Sequence, residues 1–478
     1  MRNYGGLVHA VGGFAGHRGG NFAILLGLAA SVLALAAGFS VNIAQLYNAR
    51  SSLQGVVDAA VTSTARDITT GAIKEADASK SVQNFLVANS TDGILQPDQI
   101  VLDKLTINRT ANTVQADVHT DVALFLPIPG MGETKRVTAS TTSLYSDRTI
   151  EVAMMLDVTG SMAANWWAKT DKIGDLRAAA STAVSNLLDN NIDPQNPRVR
   201  VAIIPYAEAV NTGGLADSVF VEQVGGSNLP PPVPSAGTPP PVGDSSASTR
   251  PDNCATERKD KDGYADYSSD GPSTPRLNNQ NKTYLAKVNR DDRMGTCPKP
   301  ALIPLSADKQ KLLDTIASFK AGGVTAGGIA AQWGYYMLSP SWRQAIVDAR
   351  LGAGPANFDA RKVGKVAILM TDGQFNTAFA GGRGAPKSQS AGQMSRSNAE
   401  NICYNMKHDG IEIFTIGFDL DDPSMTSTER DEAKSVLQDC ASADTSTLRH
   451  YYEAATGPEL HDAFNAIVQN IERLTIAK

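Results

Sequence analysis

Apolar and polar positions alternate in a regular way along most of the chain, and the regularity is clearest in its second part. From Thr149 onward, short apolar runs such as TIEVAMML, VRVAIIPY, KVAILM and IEIFTIGF are separated by longer stretches with apolar residues every three or four positions. The short runs are typical of strands buried on both faces, and the longer stretches are typical of amphipathic helices. The alternation predicts an α/β domain over residues 149–478, with a mostly parallel sheet covered on both faces.

One long apolar segment lies near the start of the chain. Its most apolar part, Phe22 to Val41, contains no charged residue and is long enough for a transmembrane helix of about 20 residues. We therefore predict a cytoplasmic N-terminal tail over residues 1–21 and a transmembrane helix over residues 22–44. A cleaved signal peptide is the alternative, although the apolar run is longer than is usual for one.

Residues 45–148 predict a small α+β domain. Apolar residues that include Leu53, Val57 and Val61 continue at steps of three and four, which predicts that the helix extends beyond the membrane and packs one stripe on its own domain. From about Gln99 to Ser146 the period changes to two, and Val, Thr and Ile are frequent. This pattern predicts antiparallel strands.

A Pro-rich insertion interrupts the α/β pattern at about residues 225–300. Its first half, which contains NLPPPVPSAGTPPPVG, is typical of a polyproline or disordered segment. Its second half contains ERKDKDGYADYSSDG, which has no EF-hand spacing and predicts a solvated loop. Long insertions in α/β domains are usually surface excursions.

Charge and cysteine content limit the possible partners and compartment. The net charge is −6 and no basic patch dominates, which argues against nucleic acid as a partner. The four cysteines form no C-x-x-C pair, so a zinc site is not indicated. If the large domain is exported, two disulfides are expected, Cys254–Cys297 and Cys403–Cys440. Four unrelated thiols in a cytosolic protein are the alternative.

Hydroxyl and carboxyl side chains follow the predicted strands of the α/β domain. DVTGSM begins at Asp157, directly after a buried strand, and Asp372 follows another. The glycine-rich AGGVTAGG contains Thr325 and precedes a predicted helix. Ligands bind at the carboxyl ends of strands in open α/β sheets, and hard oxygen donors suit Mg²⁺, Mn²⁺ or Ca²⁺. The candidate ligands are Asp157, Thr159, Ser161, Thr325 and Asp372.

Other interpretations of these polar residues are weaker. A serine hydrolase would need a base, for which His408, His450 and His461 are available, but no G-x-S-x-G elbow is present. DLDDPS at 419–424 is a candidate second cation site, and the simpler interpretation is a loop that caps the following helix.

The motif and its context resemble von Willebrand factor type A domains. DVTGS fits the D-x-[ST]-x-S motif, and Thr325 and Asp372 match the threonine and aspartate that follow it in that family. The resemblance covers about residues 150–474 and implies a Rossmann-like, doubly wound fold with a metal-ion-dependent adhesion site at these five positions. Thr159 replaces the commoner serine, and the insertion separates the first two ligand loops.

The N-terminal part resembles TadE/TadG-like proteins of the Flp (tight adherence) pilus system. The apolar helix runs into an LQ…DAA segment that contains Leu53, Gln54 and Asp58, and Asn42 stands where such sequences often carry an acid. The resemblance implies a non-enzymatic pilus assembly protein in the bacterial inner membrane, with its large domain in the periplasm. Its expected partners are other Tad subunits and a protein that presents an acidic residue to the metal. A non-pilus envelope protein or adhesin with a structural metal is the alternative.

Overall fold

The computed structural model describes residues 18–70, 72–90, 99–109, 111–126, 132–146, 148–163, 171–189, 191, 194–221, 253–278, 280–289, 297–382, 389–423 and 425–476. The chain divides into two units, the first reaching Ser146 and the second consisting mainly of Asp147–Lys478. Most of the predicted N-terminal tail and the Pro-rich half of the insertion lie outside the described residues.

The first unit combines one long helix with a short helix and a small sheet. Its elements are α1 (Arg18–Thr70), α2 (Ala78–Asn89), β1 (Ile100–Asn108), β2 (Thr113–Ala123) and β3 (Thr134–Leu144). The strands pair in the order β1-β2-β3, and both pairs are antiparallel, as predicted from the period of two.

Helix α1 carries the apolar segment and continues past it without a break to Thr70. It is long and apolar enough to cross a membrane, and the most apolar 18-residue window has a mean hydropathy of 2.3 and is only 6% buried. Farther along the helix, Leu53, Val57 and Val61 are fully buried against the same unit, as predicted. Gln54 adds a hydrogen bond of 2.7 Å from Nε2 to Oγ1 of Thr141 in β3. The predicted apolar stripe therefore holds the helix to its own sheet.

The second unit alternates strands and helices. Its strands are β4 (Thr149–Asp157), β5 (Val199–Tyr206), β6 (Val210–Asn211), β7 (Phe220–Val221), β8 (Cys254–Ala255), β9 (Pro275–Leu277), β10 (Thr283–Leu285), β11 (Val288–Asn289), β12 (Ile303–Ser306), β13 (Val363–Thr371), β14 (Glu412–Phe418) and β15 (Tyr451–Ala454). Its helices are α3 (Lys172–Asp189), α4 (Ala216–Val219), α5 (Lys309–Ala317), α6 (Gly327–Leu338), α7 (Arg343–Asp348), α8 (Ala391–His408), α9 (Ser427–Cys440) and α10 (Gly457–Ile476).

The main sheet is mixed, with a parallel centre. Its strand order is β15-β14-β13-β4-β5-β6-β8, and β12 pairs with β5 beside this path. Strands β15, β14, β13, β4 and β5 run parallel to one another, whereas β6 and β12 pair antiparallel with β5 and β8 pairs antiparallel with β6. The chain order reverses between β4 and β13, because β5 lies on one side of β4 and the later parallel strands lie on the other. The predicted α/β class is confirmed.

Two hydrophobic cores lie on the two faces of this sheet. Alternate residues of β4 point to opposite sides, so that Ala153 and Met155 belong to one core and Met154 belongs to the other. Helices α6, α8 and α9 contribute to the first core, and α3, α5 and α10 contribute to the second. Burial on both faces explains the unbroken apolar runs VAMML in β4 and VAILM in β13.

Most of the charged segment ERKDKDGYADYSSDG is packed against the protein, so the prediction of a solvated loop is wrong. Arg258 is only 1% exposed, and its guanidinium donates 2.7 Å from Nη2 to the carbonyl oxygen of Ser268. The same guanidinium lies 4.9 Å from the ring centroid of Tyr336 in α6. Gln332 of α6 accepts a hydrogen bond of 3.0 Å from the Arg258 backbone N–H. Internal pairing of these polar groups permits a charged sequence to be buried.

Both predicted disulfides are present. Cys254 is linked to Cys297 across the insertion, and Cys403 of α8 is linked to Cys440 at the end of α9. Because Cys403 and Cys440 are both at most 1% exposed, the second link lies inside the core between its two helices.

Candidate metal site

The candidate site lies at the carboxyl ends of the three central parallel strands. Asp157, Tyr206 and Thr371 are the last residues of β4, β5 and β13. Asp157 pairs with Tyr206 in the register of β4 and β5, and β13 lies on the other side of β4. These strand ends flank the point where the strand order reverses, which is where open α/β sheets bind ligands.

Asp157 is fully buried and is held by residues on each side of it. Its Oδ2 accepts a hydrogen bond of 2.7 Å from Oγ1 of Thr371 and one of 3.3 Å from the hydroxyl of Tyr206. Its Oδ1 accepts 2.9 Å from the backbone N–H and 2.6 Å from Oγ1 of Thr159. The carboxylate orientation is therefore fixed by the sheet on one side and by the DVTGSM loop on the other.

A chain of hydrogen bonds links the two predicted carboxylates. Oγ1 of Thr159 lies 2.9 Å from Oγ of Ser161, and Oγ of Ser161 donates 2.6 Å to Oδ1 of Asp372. Asp157, Thr159 and Asp372 are each at most 2% exposed, whereas Ser161 is exposed. Four of the five predicted ligands are thus brought together, and the group opens to solvent at Ser161.

Thr325 is bonded through its backbone to the loop that follows Asp372. Its carbonyl oxygen accepts hydrogen bonds of 2.9 Å and 3.1 Å from the N–H groups of Asn376 and Thr377, in the loop after β13. Two residues earlier, Gly323 accepts 2.9 Å from the N–H of Gly160. The three predicted ligand loops are therefore bonded to one another, although no hydrogen bond joins the Thr325 side chain to the other four residues within the described part of the chain.

A close approach at Gly327 brings the Thr325 loop near Asp372. Gly327 is the first residue of α6, and a Cβ added there would overlap the ring of Phe375. Phe375 lies three residues after Asp372 and is fully buried. The missing side chain at Gly327 therefore leaves room for this ring.

A buried lysine is part of the site and was missed in the sequence. Lys172 is the first residue of α3 and is 3% exposed. Its Nζ lies 3.2 Å from Oδ2 of Asp372, 3.2 Å from Oδ2 of Asp419 and 3.4 Å from Oδ2 of Asp422. A lysine at a helix start is usually solvated, so its position in the sequence gives no signal of this role.

The acidic DLDDPS segment was predicted to cap the helix that follows it, and its acids instead have another role. The cap of α9 is Thr426, whose Oγ1 accepts 3.2 Å from the N–H of Glu429, so capping by the segment is wrong. Asp419 and Asp422 instead face the Lys172 ammonium. The positive charge that these two acids face is therefore the side chain of Lys172.

The electrostatics of the site favour an additional positive charge. Burial and the neighbouring Asp372 raise the pKa of Asp157 to about 7. Burial also raises the pKa of Asp372, against the opposing effects of Lys172 and Ser161. Burial lowers the pKa of Lys172, but Asp372 and Asp419 more than offset this, so its pKa lies above the ordinary value. Lys172 therefore neutralises part of the acidic charge and leaves Asp157 without a cationic partner among these contacts.

The donor set fits a hard divalent cation. Asp157 and Asp372 supply carboxylate oxygens, and Thr159 and Ser161 supply hydroxyl oxygens between them. Such oxygens are the usual ligands of Mg²⁺, Mn²⁺ and Ca²⁺. No group of three or more His, Cys, Asp and Glu with metal-binding geometry occurs within the described residues, so a cation held here would need the hydroxyl oxygens as well as the carboxylates.

The three candidate bases for a hydrolase have other contacts. Nε2 of His450 lies 2.7 Å from Oε1 of Glu412, and its ring stacks on Phe414. His450 directly precedes β15, at the amino end of the parallel strands, whereas Ser161 follows the carboxyl end of β4. His461 contacts Asn465, four residues along α10, and His408 lies 3.8 Å from its neighbour Asp409.

Comparisons with known proteins return distant likenesses of the fold. No protein-family profile matches the chain, and no curated protein matches it. Similar solved structures include the von Willebrand factor domain of the type V pilus tip protein Mfa5 from Porphyromonas gingivalis, with 13% identity, a TM-score of 0.35, and coverage of 68% of this chain and 95% of that one. The pilus adhesin SpaC from Lactobacillus rhamnosus GG has 12% identity and a TM-score of 0.34 over 78% of this chain and 34% of that one. The minor pilin PilB from Streptococcus sanguinis has 10% identity and a TM-score of 0.33 over 78% of each chain. Likenesses at this level place the chain in no family.

Proposed function

We propose that this protein is a membrane-anchored, TadG-like pilus assembly protein whose second unit is a type A domain. In this proposal the domain has the Rossmann-like, doubly wound arrangement, binds a divalent cation, and uses it to hold an acidic residue of a protein partner. The hydrogen-bonded group of Asp157, Thr159, Ser161 and Asp372 carries the proposal. The protein catalyses no reaction, and its role is to support pilus biogenesis and surface adhesion.

Two properties of this group support metal-dependent binding of a partner. Asp157 and Asp372 are buried close enough for their charges to interact, and a divalent cation would relieve that repulsion. Ser161 is exposed, so an external carboxylate has access to the edge of the group. Ligation partly through hydroxyls leaves the ion incompletely neutralised, which favours an acidic group from a partner.

The proposed membrane anchor depends on α1 and on its resemblance to TadE/TadG-like segments. The helix is long and apolar enough to span a membrane, and Gln54 of the LQ…DAA segment binds Thr141 of the adjoining sheet. We infer a single-pass anchor in the bacterial inner membrane and a periplasmic second unit, where the disulfides would form. Other Tad pilus subunits are the partners expected for such a protein.

Thermal melting of the fragment 147–478 tests the metal site. The fragment contains both cores of the second unit, so it is expected to fold alone. Mg²⁺ at ten times its dissociation constant should stabilise the wild type by about 1.4 kcal/mol relative to EDTA, and Asp372→Ala should abolish that rise. Asp189→Ala is the control, because the Asp189 side chain is 63% exposed on the surface. Equal Mg²⁺ responses in wild type and Asp372→Ala would contradict the site.

A structural role for the metal is the second candidate, and the depth of Asp157 favours it. A fully buried ligand suits an ion that only fixes three loops in place. The two candidates differ in cells that carry the full chain with Asp157→Ala. If the metal mediates adhesion, the variant should be present in normal amounts but should not support surface attachment. If the metal is structural, the variant should be less stable, and attachment should fall only in proportion to the amount of folded protein.

A further inference from the structure

We propose that the loop Ala123–Leu126 inserts its apolar side chains into the phospholipid bilayer beside the membrane-spanning part of α1. The inference rests on the proposed membrane anchoring of α1 and goes beyond it, since it adds a second membrane contact from a different part of the chain. The occupant of this surface is the lipid bilayer.

The loop is bonded to α1 through two amide side chains of the helix. Asn42 donates 2.7 Å from Nδ2 to the carbonyl oxygen of Leu126 and accepts 3.1 Å at Oδ1 from the Leu126 N–H. Gln45 donates 2.7 Å from Nε2 to the carbonyl oxygen of Ala123 and accepts 3.0 Å at Oε1 from the Phe125 N–H. The N–H of Leu124 donates 2.9 Å to the carbonyl oxygen of Glu133.

These bonds lower the main cost of placing a non-helical segment in lipid. A backbone polar group in the bilayer core costs several kcal/mol unless a protein group satisfies it. Asn42 satisfies both backbone groups of Leu126, and it is itself 0% exposed. A polar residue within an apolar helix is therefore explained by the loop that it holds.

The side chains that remain exposed are apolar and continuous with the helix surface. Phe125 is 71% exposed and Leu126 is 44% exposed. Next to Asn42 on α1, Phe39, Val41 and Ile43 are 46 to 49% exposed. Leu126 packs on Gly38, because a Cβ added at Gly38 would lie 3.4 Å from Cδ1 of Leu126. The loop thus extends the apolar surface of the helix sideways.

The length of the helix places this loop at the edge of the hydrocarbon core. At a rise of about 1.5 Å per residue, the 20 residues from Ala23 to Asn42 span about 30 Å, which is the thickness of the hydrocarbon core. The side chains of α1 from Ala23 to Ala37 are exposed, and coverage by the loop begins at Gly38. Phe125 and Leu126 therefore lie within about one helical turn of the membrane boundary.

Tryptophan quenching by brominated lipids tests this inference on the full chain. The protein is reconstituted into phosphatidylethanolamine and phosphatidylglycerol vesicles as the parent, Phe125→Trp, Leu33→Trp and Leu144→Trp. The emission of the four native tryptophans is measured on the parent and subtracted. Leu33 is 69% exposed within the apolar part of α1 and reports the anchor itself. Leu144 is the matched control, because it is 73% exposed at the opposite end of the β2–β3 ladder, about 33 Å from the loop.

The expected result is a blue shift and loss of emission for Phe125→Trp, strongest with bromine near the headgroups. Leu33→Trp should be quenched by bromine at the bilayer centre, and Leu144→Trp should remain unquenched. Quenching of Leu33→Trp without quenching of Phe125→Trp would overturn the loop insertion and leave the anchor intact. An absence of quenching in both variants would overturn the anchor and the loop insertion together. Circular dichroism identical to the parent establishes that each variant has folded.

Discussion

Ser161 Oγ donates a hydrogen bond of 2.6 Å to Asp372 Oδ1, although the two residues are 211 positions apart in the chain. The bond joins the loop after β4 to the loop after β13, at the place where the strand order reverses. With Thr159 it completes a path from one buried carboxylate to the other. Because this path links Asp157 to Asp372, a change at one carboxylate is expected to affect the other. Such changes include protonation, replacement of Lys172 and movement of one of the loops.

The pH dependence of stability should report the charge of Asp157. Its pKa is raised to about 7 in the folded protein, against 3.8 for an ordinary aspartate, so the folded state binds the proton more tightly. Its contribution to stability is greatest below about pH 4 and is lost as pH rises toward about 7, with an upper bound of about 4 kcal/mol. In EDTA, the melting temperature of the fragment 147–478 should therefore fall with pH more steeply than that of Asp157→Asn.

The two pH profiles are best compared as a difference between wild type and Asp157→Asn at each pH, since groups far from Asp157 titrate alike in both proteins and cancel. A constant difference from pH 4 to pH 8 would mean that Asp157 is ionised throughout. Saturating Mg²⁺ should flatten the wild-type profile, because the cation competes with the proton for the same carboxylates.

Replacement of Lys172 should have opposite effects on stability and on metal affinity. Lys172→Met leaves Asp372, Asp419 and Asp422 without their common cation, and breaking a buried ion pair typically costs about 3–5 kcal/mol. The same loss of positive charge should increase Mg²⁺ affinity by roughly tenfold or more, because the ion no longer competes with the ammonium. Melting in EDTA and isothermal titration calorimetry with Mg²⁺ measure the two effects.

Lys309→Met is the matched control for Lys172→Met. The Lys309 side chain is 41% exposed and pairs with Asp189 on the surface, so its loss should change neither quantity measurably. Weaker Mg²⁺ binding in Lys172→Met would instead mean that the lysine positions Asp372 for the metal.

The sequence pattern was sufficient to predict the parts of the site that depend on strand order. Asp157 and Asp372 each follow a continuous apolar run, and parallel strands bring their carboxyl ends to one edge. The disulfide between Cys403 and Cys440 was likewise predictable, because both residues lie on successive helices. Such features follow from the local spacing of apolar residues, which a single sequence shows directly.

Features that depend on long-range burial of charge were not predictable in this way. Lys172 and Arg258 have the sequence context of solvated residues. Lys172 is buried among carboxylates from distant loops, and Arg258 is buried against carbonyl oxygens 10 and 28 positions away. The same limit applies to Asn42, whose partner Leu126 lies 84 positions away. A single sequence gives the type of such a polar group and not the identity of its partner.

Gly327→Ala should weaken metal binding without removing any ligand. The added Cβ would overlap the ring of Phe375, so the start of α6 and the loop after Asp372 would have to separate. Overpacking of this kind typically costs about 1–3 kcal/mol, and movement of the Thr325 and Asp372 loops should reduce Mg²⁺ affinity. Gly322→Ala in the same loop is the control, because a Cβ there meets nothing within 4 Å. Equal affinities in the two variants would show that the approach at Gly327 serves packing alone.

Loss of the disulfide between α8 and α9 should lower stability and leave the metal response intact. The link joins Cys403 and Cys440 at a sequence separation of 37, and removal of a cross-link over such a loop typically costs about 2–4 kcal/mol. The double variant Cys403→Ala, Cys440→Ala should therefore melt at a lower temperature than the wild type, while Mg²⁺ still raises the melting temperature by the same increment. Scanning calorimetry of the fragment 147–478 with and without Mg²⁺ gives both values. Because none of the candidate ligands lies on α8 or α9, a lost Mg²⁺ response would mean that these helices hold the ligand loops in place.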